Sequence, residues 1–294
     1  MKLTLRLLAL LVLLPLARPL DARQADKALQ GRPQDEPPAW AATWDEALAQ
    51  ARKTPDGRVL VELREAACAD CERMEKLVYP SASFRAFCRD KVPVSLLVGT
   101  AEGDVIARRY AVRSFPAWLV VSTDGLLCGK QEGASNQSTW IDRFVATERD
   151  WNLFLGKLEA ERQAPDDLAA VYAVAEEAYR RFGDDMAEAR FRRIADDRKA
   201  PMALREKSLP YLATMSLAAR RFDDAERDLK RLLSVTKDPA VREKAELRLV
   251  DVAVGRGERR RAEGMLEAFL KKHPESPLRP QAEALLEALR APKS

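Results

Sequence analysis

The sequence predicts an α/β domain with a mixed sheet, followed by an all-α domain of helical repeats. Three observations carry this reading. Short apolar runs alternate with amphipathic segments over residues 41–148. From Asp150 onward a helical pattern rich in Ala, Leu, Glu and Arg takes over. Within that second half, apolar and proline positions recur every 35 to 38 residues. At 294 residues the chain has length for about two domains.

The elements of the first half follow in order. Thr43 is placed to cap a helix over 44–52, WDEALAQAR. Residues 59–63 read as a strand, and 68–78 as a helix with Cys71, Met74 and Val78 on one face. A second strand is expected over 92–98 and a helix over 104–110. Residues 118–122 and 126–128 read as a hairpin around Thr123-Asp124-Gly125. A helix over 138–147 closes this half, giving the order α-β-α-β-α-β-β-α.

The most informative motif is Cys68-Ala69-Asp70-Cys71, between the first strand and its helix. A thiol at a helix N-terminus sits near unpaired backbone N–H groups, which favour the thiolate. That thiolate is the nucleophile of disulfide exchange, and a second thiol one turn later can close a ring and release product. Cys68 is therefore the candidate nucleophile and Cys71 the resolving thiol of a redox-active disulfide. Two other readings compete. Half a zinc site needs two more ligands, and the chain has no second close cysteine pair and one histidine, His273. The other is a structural disulfide on a domain that only binds.

Residues 41–148 resemble a thioredoxin-like domain of the exported kind. The resemblance rests on VLVEL followed by CADC, then YAVRSFPAW, then LVVSTDGLL, in that order, over about a third of the chain. It implies a cis bond from Phe115 to Pro116, on a loop facing the cysteines. The backbone of that loop would pair with a substrate chain, so that Phe115 docks it. Glu62 interrupts the apolar run and matches the family's buried acidic residue, more often an aspartate. Burial would favour its neutral form and suit it to proton transfer at Cys71. The competing reading is a glutamate that reaches solvent past a strand end.

Two departures from the family bear on the chemistry. Ala67 stands where many relatives have tryptophan, which removes an apolar wall beside the motif. Asp70 and Glu72 place negative charge near Cys68 and oppose its thiolate. This predicts a thiol less acidic than in strongly oxidising relatives, with an apparent pKa above ~5 and a reducing tendency. Cys88 and Cys128 read as buried free thiols, and their spacing leaves open a second disulfide.

In the second half Ala187, Ala225 and Ala262 each precede a larger apolar residue by four positions: Phe191, Leu229 and Leu266. Ile194, Leu232 and Phe269 follow three later, and Pro201, Pro239 and Pro274 close each unit. A small residue where helices approach, larger ones beside it and a proline at the turn is what stacked helix pairs need. The segment resembles about three degenerate tetratricopeptide repeats with a capping helix near 281–289. A non-repeating helical bundle is the alternative.

Composition narrows the function. Lys and Arg number 50 against 46 Asp and Glu, which argues against a nucleic-acid groove, and Arg259–Arg261 reads as a solvated helix face. Lys2 and Arg6, then an apolar run over 7–16 too short to span a bilayer, read as an export signal. Cleavage fits after Ala22 or Ala17. The proline-containing stretch after it reads as a linker. The division is thus signal 1–22, linker 23–40, thioredoxin-like domain 41–148 and helical repeats 149–294. The expected activity is thiol–disulfide exchange on protein disulfides in an extracytoplasmic compartment such as the periplasm, with no cofactor. It calls for a thiol electron donor or acceptor there and a protein partner at the repeats, with no stable membrane span. The alternative is a non-catalytic adaptor using the first half as a docking module.

Overall fold

The computed structural model describes residues 38–54 and 56–291. The segment read as an export signal, and all but the last three residues of the linker, lie outside them. Four strands form one sheet: β1 (Arg58–Arg64), β2 (Lys91–Leu97), β3 (Ala117–Ser122) and β4 (Leu127–Glu132), in the order β2-β1-β3-β4. β1 pairs parallel with β2 and antiparallel with β3, and β3 pairs antiparallel with β4. The unbroken run Val59–Leu63 follows from this position, because every one of its side chains is buried.

Helices cover both faces. Val59, Val61 and Leu63 pack with α1 (Trp44–Ala51) and α4 (Ala101–Arg109). Leu60, Trp118 and Val120 pack with α2 (Ala69–Leu77), α3 (Ala82–Phe87) and α5 (Gln137–Gln163). Thr43 caps α1, its hydroxyl accepting from the Glu46 N–H at 3.2 Å. The short α3 stands outside the expected element order, although the SFRAFCRD segment around Cys88 itself reads as helical, and Cys88 caps its C-terminus.

The helix expected over 138–147 does not stop there. α5 runs for 27 residues to Gln163, a rod of about 40 Å. Residues 148 and 149, where the sequence put the join between halves, lie inside it. Trp140 and Phe144 bury against the sheet, and Trp151 and Phe154 bury in the core shared with the helical half. Nothing in the local sequence breaks the helix between them.

The remainder is helical: α6 (Leu168–Arg180), α7 (Asp184–Asp196), α8 (Met202–Ala218), α9 (Phe222–Val235), α10 (Pro239–Gly255), α11 (Arg259–Lys272) and α12 (Arg279–Arg290). The recurring alanines and their larger partners are all buried, on α7, α9 and α11. Pro201 and Pro239 each open a helix, and Arg192 to Asp228 and Arg231 to Asp196, both at 2.8 Å, tie α7 to α9. The turns between the paired helices each hold one left-handed residue: Phe182, Arg220 and Gly257.

One hydrophobic core runs from the sheet through α5 into α6–α10. The turn after α6 docks on the β3–β4 hairpin. Leu127 N–H donates to the Arg181 carbonyl at 2.9 Å, and the Arg181 guanidinium donates back to the Leu127 carbonyl at 3.0 Å. Phe182 meets Tyr110 edge-on at 5.7 Å. A Cβ on Gly183 would lie 2.1 Å from Leu126 Cδ2, so any larger residue would have to displace the Leu126 side chain. The hairpin turn sits beside the start of β1, since Arg58 pairs with Ser122. The helical half therefore docks at the end of the sheet opposite Cys68, about 20 Å along β1.

A partly buried ionic cluster, with covered cations and more exposed carboxylates, holds α5 to the sheet at that same end. Arg58 pairs with Asp90 and Glu148, and Lys91, 3% exposed at its side chain, pairs with Asp90 at 2.8 Å and Glu148 at 3.2 Å. Glu148→Ala leaves two cations with one carboxylate, and a loss of about 2 kcal/mol is expected from denaturant unfolding. Arg220→Gly relieves a left-handed arginine at the cost of its weak stacking on Phe222. A gain of about 0.5 kcal/mol is expected in the same assay.

Candidate active site

Strand β1 ends at Arg64, and four residues later Cys68 becomes the N-cap of α2. Cys68 and Cys71 are joined by a disulfide, with Cα atoms 5.2 Å apart. The Cys71 N–H lies 3.0 Å from Cys68 Sγ and donates to it. One of the free N–H groups of the helix end thus points at the candidate nucleophile, where a thiolate would be stabilised. Cys68 is 8% exposed and Cys71 is fully covered. The acidic charge read from the sequence is partly offset, because Asp70 pairs with Arg73 at 2.7 Å on the surface. Exposed pairs of this kind screen weakly.

Phe115 and Pro116 lie at the same end of the sheet. Ala117 opens β3 opposite Leu63, so the preceding loop stands beside the exit of β1. The Phe115–Pro116 bond is cis. Pro116 is buried and its carbonyl accepts from Gly133 N–H at 2.8 Å. Phe115 is half-buried, and among the described residues its backbone N–H and carbonyl have no partner. Glu132 holds this loop from below. Its carboxylate accepts from the backbone N–H groups of Arg113 and Ser114, each at 3.2 Å.

Glu62 is 1% exposed, so the solvent-reaching reading of this residue does not describe the structure. It faces the α2 side of the sheet with Leu60, across from Trp118 on β3 and Ser95 on β2. Tyr79, just past α2, donates its hydroxyl to Glu62 Oε1, and Ser95 donates to Oε2 at 2.7 Å. Burial raises the Glu62 pKa. The hydrogen bonds from Ser95 and Tyr79 and the Arg64 charge oppose this without cancelling it. Burial and the Glu62 charge push the Tyr79 phenol far above its ordinary range, so it stays a donor. Cys88 and Cys128 are free, and burial pushes both thiols up to about 12, which leaves them unreactive near neutrality.

Three contributors went unread in the sequence. Ser95 was findable, because it sits at the register position opposite Glu62 once the two strands are aligned. Tyr79 and Glu132 gave no signal, since each reaches its partner only through the fold. Trp40 stacks at 5.5 Å from Tyr79 and 6.4 Å from Phe84 and walls this side of the site. It does not replace a tryptophan at position 67, which remains alanine.

No protein-family model matches the chain, and no curated protein matches it either. Among solved structures it is similar to a DsbH oxidoreductase, at 14% identity over 40% of this chain and 90% of that one, with a TM-score of 0.34. A thioredoxin from Thermus thermophilus is 26% identical over 36% of this chain and 84% of that one, TM-score 0.32. A putative disulphide-isomerase from Bacteroides thetaiotaomicron is 21% identical over 39% and 96%, TM-score 0.35. The architecture is a thioredoxin-like α/β domain with a cysteine pair at its helix start, followed by a helical domain.

The raised pKa of Glu62 has a consequence for stability. A neutral Glu62 supports the fold below the unfolded pKa of about 4.3, and that support is lost as pH rises through the higher folded value. Glu62→Gln stays neutral throughout. It is expected to raise the denaturant midpoint at pH 7 and to change it little at pH 3.5.

Proposed function

We propose that this protein is a thiol–disulfide oxidoreductase acting on protein disulfides. The observation that supports it most is the Cys68–Cys71 disulfide at the N-terminus of α2, at the same sheet end as the Phe115–Pro116 loop. In this reading reduced Cys68 attacks a substrate disulfide. One substrate sulfur leaves as a thiol after taking up a proton, and a mixed disulfide remains on Cys68. Cys71 then gives its proton to Glu62 and attacks Cys68 Sγ. The Cys68–Cys71 bond forms, the mixed disulfide breaks, and the second substrate sulfur leaves. Phe115 offers its unpaired backbone groups to an extended substrate segment. Turnover then needs a thiol electron donor, or an acceptor for the reverse direction, in the same compartment.

The N-terminal basic and apolar run supports export, to a compartment where the pair is out of reach of cytosolic reductants. Among the described residues no helix is long and apolar enough to cross a membrane. The helical half reads as tetratricopeptide-like repeats that recruit a protein partner, a role that rests on fold analogy. The turn between α6 and α7 docks on the β3–β4 hairpin, at the end of the sheet away from Cys68. One observation favours the adaptor reading instead: Cys68 is only 8% exposed, little for a nucleophile.

Turnover of a model protein disulfide with a dithiol reductant separates the two. Cys68→Ser is expected to fall to the uncatalysed rate with the fold retained, and Cys71→Ser to accumulate mixed disulfides. A wild-type protein that never exceeds the uncatalysed rate would count against the enzyme and support the adaptor reading.

A further inference from the structure

Glu62 poses a transport problem. A carboxyl that takes a proton during resolution must lose it again before the next cycle. At 1% exposure it has no direct path to water. Its neighbours differ in this respect. Tyr79 holds Oε1 and is half-buried, with its ring packed against Trp40, Phe84 and Trp118 at centroid distances of 5.0 to 5.5 Å. Ser95 holds Oε2 at 2.7 Å and lies on β2, the last strand of the sheet on that side, one residue past the point where Ala41 bridges to Val94. Ser95 is exposed to solvent while its hydroxyl still reaches the buried oxygen.

We propose that Ser95 is the proton port of Glu62, exchanging protons between the buried carboxyl and bulk water through its hydroxyl. The inference rests on the oxidoreductase reading for its use in turnover. The step balances: the Glu62 acid proton passes to Ser95 Oγ as the hydroxyl's own proton passes to water, and the reverse order recharges the acid. No electrons move. Serine suits this work because one hydroxyl both donates and accepts, and it rotates between the two partners. The other groups facing Glu62 do not serve. Arg64 on β1 is bound to Glu75 of α2 and has no proton to release near neutrality. Tyr79 has the same hydroxyl chemistry but is less exposed than Ser95, being packed among three aromatic rings, and Trp118 on β3 offers only an indole N–H. Ser95 is thus a positioning residue that acts through Glu62 and touches neither sulfur.

Two readouts on the full chain test this. In the first, reduced protein meets an excess of an aryl disulfide that releases a coloured thiolate. The fast release reports attack by Cys68, and the slower one reports resolution by Cys71. Ser95→Ala is expected to leave the first phase unchanged. It should slow the second about tenfold, a part of what a positioned acid–base group supplies, with its pH profile displaced upward. Ser95→Thr restores the hydroxyl and should restore the rate. A second phase equal to wild type in Ser95→Ala at every pH would overturn the proposal. The second readout is the Glu62 titration followed by carboxyl NMR in the oxidised protein, which needs no turnover. Its midpoint should rise in Ser95→Ala, which lacks the donor to the carboxylate, and return in Ser95→Thr. An unmoved midpoint would overturn the link between the two residues even if thiol exchange is proven. Absent resolution in the wild type with a shifted midpoint would instead overturn both the redox reading and the proton port's role in it.

Discussion

Strand β1 is hydrogen-bonded along both edges and covered on both faces, and the position of every group in the site depends on that. Its parallel partner fixes Ser95 opposite Glu62, and its antiparallel partner fixes Ala117 opposite Leu63. A shift of one residue against either neighbour would turn Glu62 to the other face. That face holds the cluster of Val59, Val61 and Leu63 with α1 and α4, in which the Tyr110 hydroxyl is already bound to the Gly125 carbonyl. A carboxylate has no free donor there. The hydrophobic pattern of the strand therefore sets the register, and the register brings Ser95 to Glu62. The strand's continuation past Arg64 then delivers Cys68 to the start of α2, where the chain changes from extended to helical.

The same strand separates two tasks in space. At its C-terminal end stand the cysteines and the cis-proline loop. At its N-terminal end Arg58 joins the ionic cluster that grips α5, and the neighbouring hairpin receives the turn after α6. The attachment of the helical half thus makes few demands on the site. The two ends still communicate through packing, because α5 lies along the sheet face that holds Glu62 and Trp118. Close contact along this face leaves little room. A Cβ on Gly129 would come within 2.5 Å of the Thr147 hydroxyl.

Much of this was legible before any coordinates. The strands were read within one or two residues of their starts, since a doubly covered sheet writes itself as unbroken apolar runs. The helix after the cysteines and its cap position followed from periodicity and from the motif's place after a strand. Glu62 stood out because a charge inside such a run has to be explained. What escaped was set by distance in the fold. The continuity of α5 was hidden because a helix that changes partners midway has no single apolar stripe. Tyr79 lies just past a helix and its hydroxyl meets Glu62 only because α2 lies across β1. Arg181 carries no local signal, yet it binds the carbonyls of β4 and sits over the rings of Trp151 and Phe154.

The uninterrupted α5 also bears on ancestry and engineering. A helix that begins as the last layer of one fold and ends as the first wall of another has no neutral cutting point. Trimming the chain at its midpoint would bare the Trp151 and Phe154 rings on one fragment and unroof β4 on the other. The two parts are grown together rather than strung together. Grafting these repeats onto a different redox head would mean carrying the long helix, its glycine contact and its arginine latch along with them.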